Sequence, residues 1–378
     1  MTRNCADVAV VGGGILGLAH AYLAAKHGRS VVVFERGPRA QGASVRNFGM
    51  IWPIGQAPGP MHEMALRSRR LWLEALEWSM LPFLPTGSLL VVYREDERAV
   101  VQEFCELTRN QDYGCEWIGP DAVVSRTNAV RTEGLLGGLW SPVELTVDPR
   151  LILWQFPEFL AAQFGVQFCY GTVVRSIDLP VVEAGSQKWE VQSAIVCSGD
   201  DFETLYPDLF AESGINRCKL QMMRTRPQPG GWQLGPSLAA GLTLRFYDSF
   251  AICKTLETLK RRIASETPEY DHWVIHGLVS QTANGELTLG DSHEYGRAVD
   301  VFDKPRIDDL ILRYIGTFLK APNMEIAQRW HGVYSKHPEK PFVSMSPADG
   351  VRIVTALGGA GMTLSFGLAE QTIHEMAL

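Results

Sequence analysis

Residues 6–35 run as a short apolar stretch, a cluster of glycines, an apolar helical stretch and a second β-branched run closed by an acid. Ala6 to Val11 is continuously apolar, which suits a strand buried on both faces of a parallel sheet. Gly12-Gly13-Gly14-Ile15-Leu16-Gly17 follows, then a helix over Ile15 to His27 and a strand over Ser30 to Phe34 ending at Glu35. This is a β–α–β unit with G-x-G-x-x-G at its first turn. Gly12 permits the turn, Gly14 lets main chain approach a diphosphate, and Gly17 lets helix and strand pack closely. The helix N-terminus offers free N–H groups and partial positive charge to an anion. Glu35 is placed to accept ribose hydroxyls, which disfavours a 2′-phosphate and leaves FAD or NAD.

The 378 residues suggest two lobes, or one large domain with an insertion. Net charge of -7 speaks against nucleic acid as main partner. Seven cysteines without a C-x-x-C pair point to reduced thiols. Met1 to Asp7 is polar and reads as no signal peptide, and no apolar run reaches spanning length, so a cytoplasmic address without a membrane partner is expected. Further strands are expected over Gly87 to Tyr93, Val166 to Tyr170, Gly171 to Ile177, Ser193 to Cys197 and Val351 to Leu357. Helices are expected over Met61 to Trp78, Glu95 to Asn110, Asp308 to Leu319 and, capped by Asp148 with Pro149 at its first turn, through Phe164. Lys219 to Asp291 reads as alternating antiparallel strands. Parallel-sheet signals thus fall at the start, middle and end, with antiparallel ones between. The expected fold is α/β: a Rossmann-like dinucleotide domain over 1–80, 145–215 and 325–378, interleaved with an antiparallel-sheet substrate domain over 81–144 and 216–324.

A second strand–Gly-loop–helix occurs at Gly358 to Gly361, followed by Met362 and Thr363, and favours FAD over NAD. A flexible glycine-rich helix entry is the alternative. In VAVVGGGILGLAHAYLAAKHGRSVVVFER, GASVRNFG, VDPRLILWQF, AIVCSGDDFETL, GELTLGDS and IVTALGGAGMTLSFGLAEQ the chain resembles the D-amino-acid oxidase/glycine oxidase/sarcosine oxidase superfamily (the DAO family) along nearly its whole length. The resemblance implies FAD, and with no cysteine near the W-x-G stretch or the C-terminal glycine loop it is expected to be non-covalent. Gly12, Gly14, Ile15, Gly17, Glu35 and Arg36 would hold the ADP half. Ser44, Asn47 and Gly49 would lie beside the diphosphate and flavin, and Val174, Ser198 and Gly199 on the adenine side. Gly359, Gly361, Met362 and Thr363 would line the flavin.

RNFGMIWPIGQ, TLRFYDSF, GELTLGDSHEYG and RWHGVYSKH further resemble a phosphonate-associated subgroup. This implies oxidation of a small anionic amine such as 2-aminoethylphosphonate, with oxygen as acceptor. Relatives often carry arginine two residues after the W-x-G glycine, where this chain has Tyr334. That departure weakens a glycine or D-amino-acid substrate. Arg46, Tyr247, His293, His331, Tyr334 and Lys336 are the substrate-site candidates, with Lys254, Tyr295 and His337 beside them. For Lys254 and Lys336 the alternative is a solvated surface lysine, for Arg46 a loop brace, for Tyr247 and Tyr295 ordinary sheet residues, and for the histidines a satisfied core position. Some relatives have a lysine at Thr288 to help oxygen, so an amino-acid or hydroxy-acid dehydrogenase with another acceptor stays open. His272 and His276 are spaced as helical metal ligands, but the stretch reads as a strand start and no metal is expected.

Overall fold

The structure is a computed structural model and describes residues 4–378; the first three residues of the polar start lie outside it. Two large sheets form its frame. The first has a parallel core in the order Val351–Thr355, Gln187–Val196, Cys5–Val11, Val31–Glu35, Gln167–Tyr170. Its central strands are β-branched and buried on both faces, as a sheet covered on each side requires. Chain start, middle and end therefore meet in one sheet, because each contributes an apolar run too short to bury itself alone. Antiparallel strands Val174–Asp178, Val181–Ala184 and Val343–Ala348 extend it.

Helix Ile15–Lys26 packs beneath this sheet, buried from Ile15 through Ala25 except at Leu16. It is apolar on nearly every side because helices Gly361–Glu375 and Pro60–Ser79 join it in one core with Tyr22, Trp72 and Phe366. Asp148 caps Pro149–Phe164 by accepting from the Arg150 amide at 3.0 Å.

The second sheet has nine strands, and its longest pairing joins Asn216–Thr225 to Ile326–Lys336 antiparallel. Most of its pairs are antiparallel, as expected, but Ser237–Ala240 runs parallel to Ser88–Val92. The expectation of strands throughout Lys219 to Asp291 fails over 241–272. That stretch holds single turns at Gly241–Arg245 and Asp248–Ile252, then helices Leu256–Glu266 and Pro268–His272. Leu256, Leu259 and Ile263 recur at helical spacing and enter the core that contains Val100 and Phe104. His272 accordingly ends a helix rather than starting a strand. Among the described residues no helix is long and apolar enough to cross a membrane.

Candidate active site

At the carboxyl ends of Cys5–Val11, Val31–Glu35 and Gln187–Val196 lies a cleft. Its floor is the turn from Gly12 to Ile15. Gly12 has φ of +106°, and a Cβ there would come within 2.3 Å of the Cys197 carbonyl, so only glycine fits. Gly14 precedes the helix without capping it through a side chain. The Ile15 amide donates to Ser44 Oγ at 3.0 Å, leaving the Ser44 proton free to turn toward an anion. Glu35 accepts from the amides of Gly13 and Gly37, at 2.9 and 2.8 Å, which fixes its carboxylate at the cleft wall. Arg36, Val174, Ser198 and Gly199 line the same cleft.

The cleft runs on into a second cavity; Ile15, Ala43, Ser44, Tyr334, Gly358 and Gly361 border both. The second cavity is lined by Phe48, Leu220 and Met222 among others, with the polar residues Arg46, Asp291, His293 and Tyr334. Arg46 Nη1 donates to the His331 carbonyl at 3.0 Å, a neutral acceptor that leaves its charge uncompensated at that bond. Tyr334 is buried, and its hydroxyl lies 3.7 Å from where a Gly359 Cβ would stand. Burial first, then the neighbouring Cys218 and Tyr295, pushes the phenol's pKa well up. Burial pulls His293 down to about 4, so its ring is neutral near pH 7, and pushes Asp291 up to about 8.

A two-sheet α/β frame with glycine turns from both ends of the chain facing one cleft is the architecture that comparison with known proteins returns. A family model described as DAO, FAD dependent oxidoreductase, matches residues 7–374. The chain belongs to this family. It is 26% identical over 210 residues to a glycine oxidase of Bacillus licheniformis, covering 52% of this chain and 55% of that protein. It is 25% identical over 229 residues to D-amino acid dehydrogenase 2 of Mesorhizobium japonicum, covering 46% and 55%. The chain thus spans about half the length of the curated relatives it matches. Among solved structures, glycine oxidase from Geobacillus kaustophilus superposes with a TM-score of 0.77 at 18% identity, over 99% of this chain and 95% of that one. The FAD-bound L-alpha-glycerophosphate oxidase of Mycoplasma pneumoniae superposes at 0.73 with 17% identity, over 100% and 96%. These likenesses establish the DAO fold.

The residues present fit FAD. Two helices, Ile15–Lys26 and Gly361–Glu375, point N-termini without side-chain caps at the cleft. The glycine-lined turn would accept a diphosphate, and the acid at Glu35 a ribose.

Gly17 packs the helix onto the turn and strand as its place in the motif requires, since a Cβ there would lie 1.9 Å from the Gly12 carbonyl. Several other residues expected at the site stand elsewhere. Gly49 turns beneath the Val147 carbonyl. Thr363 is buried and accepts from the Trp52 amide at 2.9 Å. Asn47, Gly359 and Met362 do line the second cavity. His331 falls one residue out of phase with Gly332 and Tyr334, so strand alternation turns it away, and its ring meets Asp303 at 2.9 Å. Lys336 lays its stem on Gly358 and its ammonium over the Tyr295 ring at 5.3 Å, beside the cavity rather than in it. Tyr247 stands behind the wall, stacked on Trp52 and edge-on to His276. Lys254 is exposed beside Glu103, which accepts from its amide. His337 is buried and accepts from the amides of Glu339 and Lys340, so it holds a turn. Thr288 is buried on the strand before Asp291 and lines neither cavity.

The residue missed is Asp291. It lies inside GELTLGDSHEYG, and an acid ending an apolar strand two residues before a histidine was the available signal.

Proposed function

We propose that the chain oxidises a small amine with an anionic end, an aminophosphonate such as 2-aminoethylphosphonate or its N-methyl form, with oxygen as final acceptor. The observation that carries this is Arg46, which lines the pocket at the end of the FAD cleft and whose Nη1 donates to the His331 carbonyl. A guanidinium beside the pocket, its charge shared with Asp200, favours an anionic ligand. Tyr334, standing where many relatives have arginine, removes the flat fork that suits a carboxylate and leaves single donors, which suit a tetrahedral anion. The division into cofactor segments 1–80, 145–215 and 325–378 and substrate segments 81–144 and 216–324 belongs to this reading.

When bound, FAD supplies the two-electron acceptor for the substrate's α-hydride. The chain's own residues bind and orient. Arg46 holds the anionic end, Tyr334 donates a hydrogen bond from the floor, and Phe48, Leu220 and Met222 exclude water. The D-amino acid dehydrogenase and glycine oxidase relatives support an amino compound as substrate class. The test is anaerobic loss of flavin colour, and hydrogen peroxide release in air, with 2-aminoethylphosphonate and its N-methyl form against glycine, sarcosine and D-alanine. Faster turnover of the carboxylates would reject the phosphonate assignment. Thr288, where some relatives have lysine, favours a second reading as a dehydrogenase; rapid bleaching followed by slow recovery in air would establish that one.

A further inference from the structure

The second cavity contains a carboxyl group that the reading above does not use. Asp291 is 6% exposed, and its Oδ1 has no hydrogen-bond partner among the described residues. Its Oδ2 lies 3.9 Å from His293 Nε2, beyond hydrogen-bond reach. A buried carboxyl with an idle oxygen is costly to keep, and such groups mark places where a ligand completes the bonding. Arg46 lines the same cavity, so the pocket presents a cation and a carboxyl to one small molecule. Resting on the amine reading, we propose that Asp291 is the site's amine receptor and catalytic base: its Oδ1 takes a proton from the substrate's ammonium group.

The chemistry gives such a group a use. An alkyl ammonium, with a pKa of roughly 10.4 in lysine, reaches the site protonated. It has no lone pair, so its α C–H cannot leave as hydride. In the proposed step an N–H bond breaks and an Oδ1–H bond forms. The freed nitrogen lone pair then becomes the C=N bond as the α-hydride departs with its electron pair to the family's FAD.

The surrounding groups leave Asp291 as the competent acceptor. From the strand Ile326–Lys336, Tyr334 holds its own proton and Lys336 is a cation. Arg46, from the loop after Ala43, is a cation too. His293 is too weak a base at about 4, and His276, its ring 4.7 Å from that of His293, is lowered further by burial and by His293 itself. Tyr247, Tyr295 and Cys218 surround the carboxyl with neutral groups, each pushed up chiefly by burial. Asp291 at about 8 sits between a free carboxylate and a free amine. A low-dielectric pocket also disfavours the separated charges and draws the proton across.

The test uses the yellow holoprotein, anaerobic stopped flow and the amines named above, from about pH 6 to about pH 10. The wild-type bleaching rate is expected to rise through about pH 8 and level off. Asp291→Asn, with an unchanged flavin spectrum, is expected to bleach on the order of 100-fold slower at neutral pH and to keep rising toward the amine's own pKa. A variant profile that superimposes on wild type overturns the role of Asp291 and leaves the amine reading standing. A wild-type protein bleached by a hydroxy acid but by no amine overturns both. A second readout needs no variant: 2-amino-2-methylpropylphosphonate has no hydrogen on its amine carbon and cannot be oxidised. Its binding above about pH 8 should make a carboxylic acid C=O band appear in the infrared difference spectrum. Absence of that band with the probe bound overturns the proposal.

Discussion

Replacing Gly14 by valine separates cofactor binding from folding. Gly14 has φ of −70° and ψ of 173°, an extended conformation that β-branched residues adopt readily, so the main chain need not strain. A Cβ there meets only the Ser44 side chain, nearest at Oγ, 3.0 Å away, which can rotate. The remaining methyl groups stand in the cleft. They displace the diphosphate from the first turn of Ile15–Lys26 and deny it one or two charge-assisted hydrogen bonds of about 1.5–3 kcal/mol each. With about 3 kcal/mol lost, within that range, FAD affinity falls roughly 100-fold or more. Gly17→Ala makes the opposite comparison: its Cβ lands 1.9 Å from the Gly12 carbonyl, which is main chain and cannot swing aside. The assay is thermal unfolding of both apoproteins, with FAD titration followed by flavin absorbance. Gly14→Val should melt near wild type and remain colourless, whereas Gly17→Ala should melt well below it. A Gly14→Val protein that binds FAD with wild-type affinity would refute the placement of the diphosphate.

Arg46→Met should raise KM for anionic amines roughly 10- to 100-fold through loss of a charge-assisted bond, while leaving uncharged alkylamines unaffected; equal effects on both would remove the clamp. Tyr334→Phe should raise KM about two- to tenfold with the flavin spectrum intact, and unchanged kinetics would take Tyr334 out of the site. Lys254→Ala should alter neither kinetics nor spectrum, since Lys254 is exposed beside Glu103. For stability, Asp291 has its folded pKa raised from 3.8 to about 8, so the folded chain binds more protons than the unfolded one between those values, and this residue's contribution declines as pH rises through that window. Asp291→Asn removes the decline, so the melting advantage of the variant over wild-type apoprotein should grow from about pH 5 to about pH 8; a constant difference would show that the carboxyl is solvated.

The cofactor half was legible because its code is local. Turn, helix entry and strand at residues 6–35 each follow from residues within a few positions of one another, and Gly12 reports its own φ. Asp148 and Pro149 announced a helix start in the same way. The helices in 256–272 escaped because Leu256, Leu259 and Ile263 lie among residues that also pass for strand, and the core containing Phe104 selects the helical phase. His331 was misplaced by a single step of strand alternation, which resemblance of the flanking motif cannot settle.

The substrate half is coded differently, and Asp291 shows why. A carboxylate after an apolar strand is an ordinary surface acid in any sequence window. It becomes a base only because the assembled fold buries it, and because Arg46, some 245 positions away, lines the same cavity. Burial is a property of the assembled sheets, so the proton affinity that makes the group useful exists in no segment alone. The same reasoning covers His293, whose flanking motif marked it early but whose neutrality at pH 7 comes from burial. Within one family fold, glycine turns that hold a shared cofactor can thus stay readable residue by residue. The groups that choose a substrate emerge only where distant segments close around a polar side chain and change what it does.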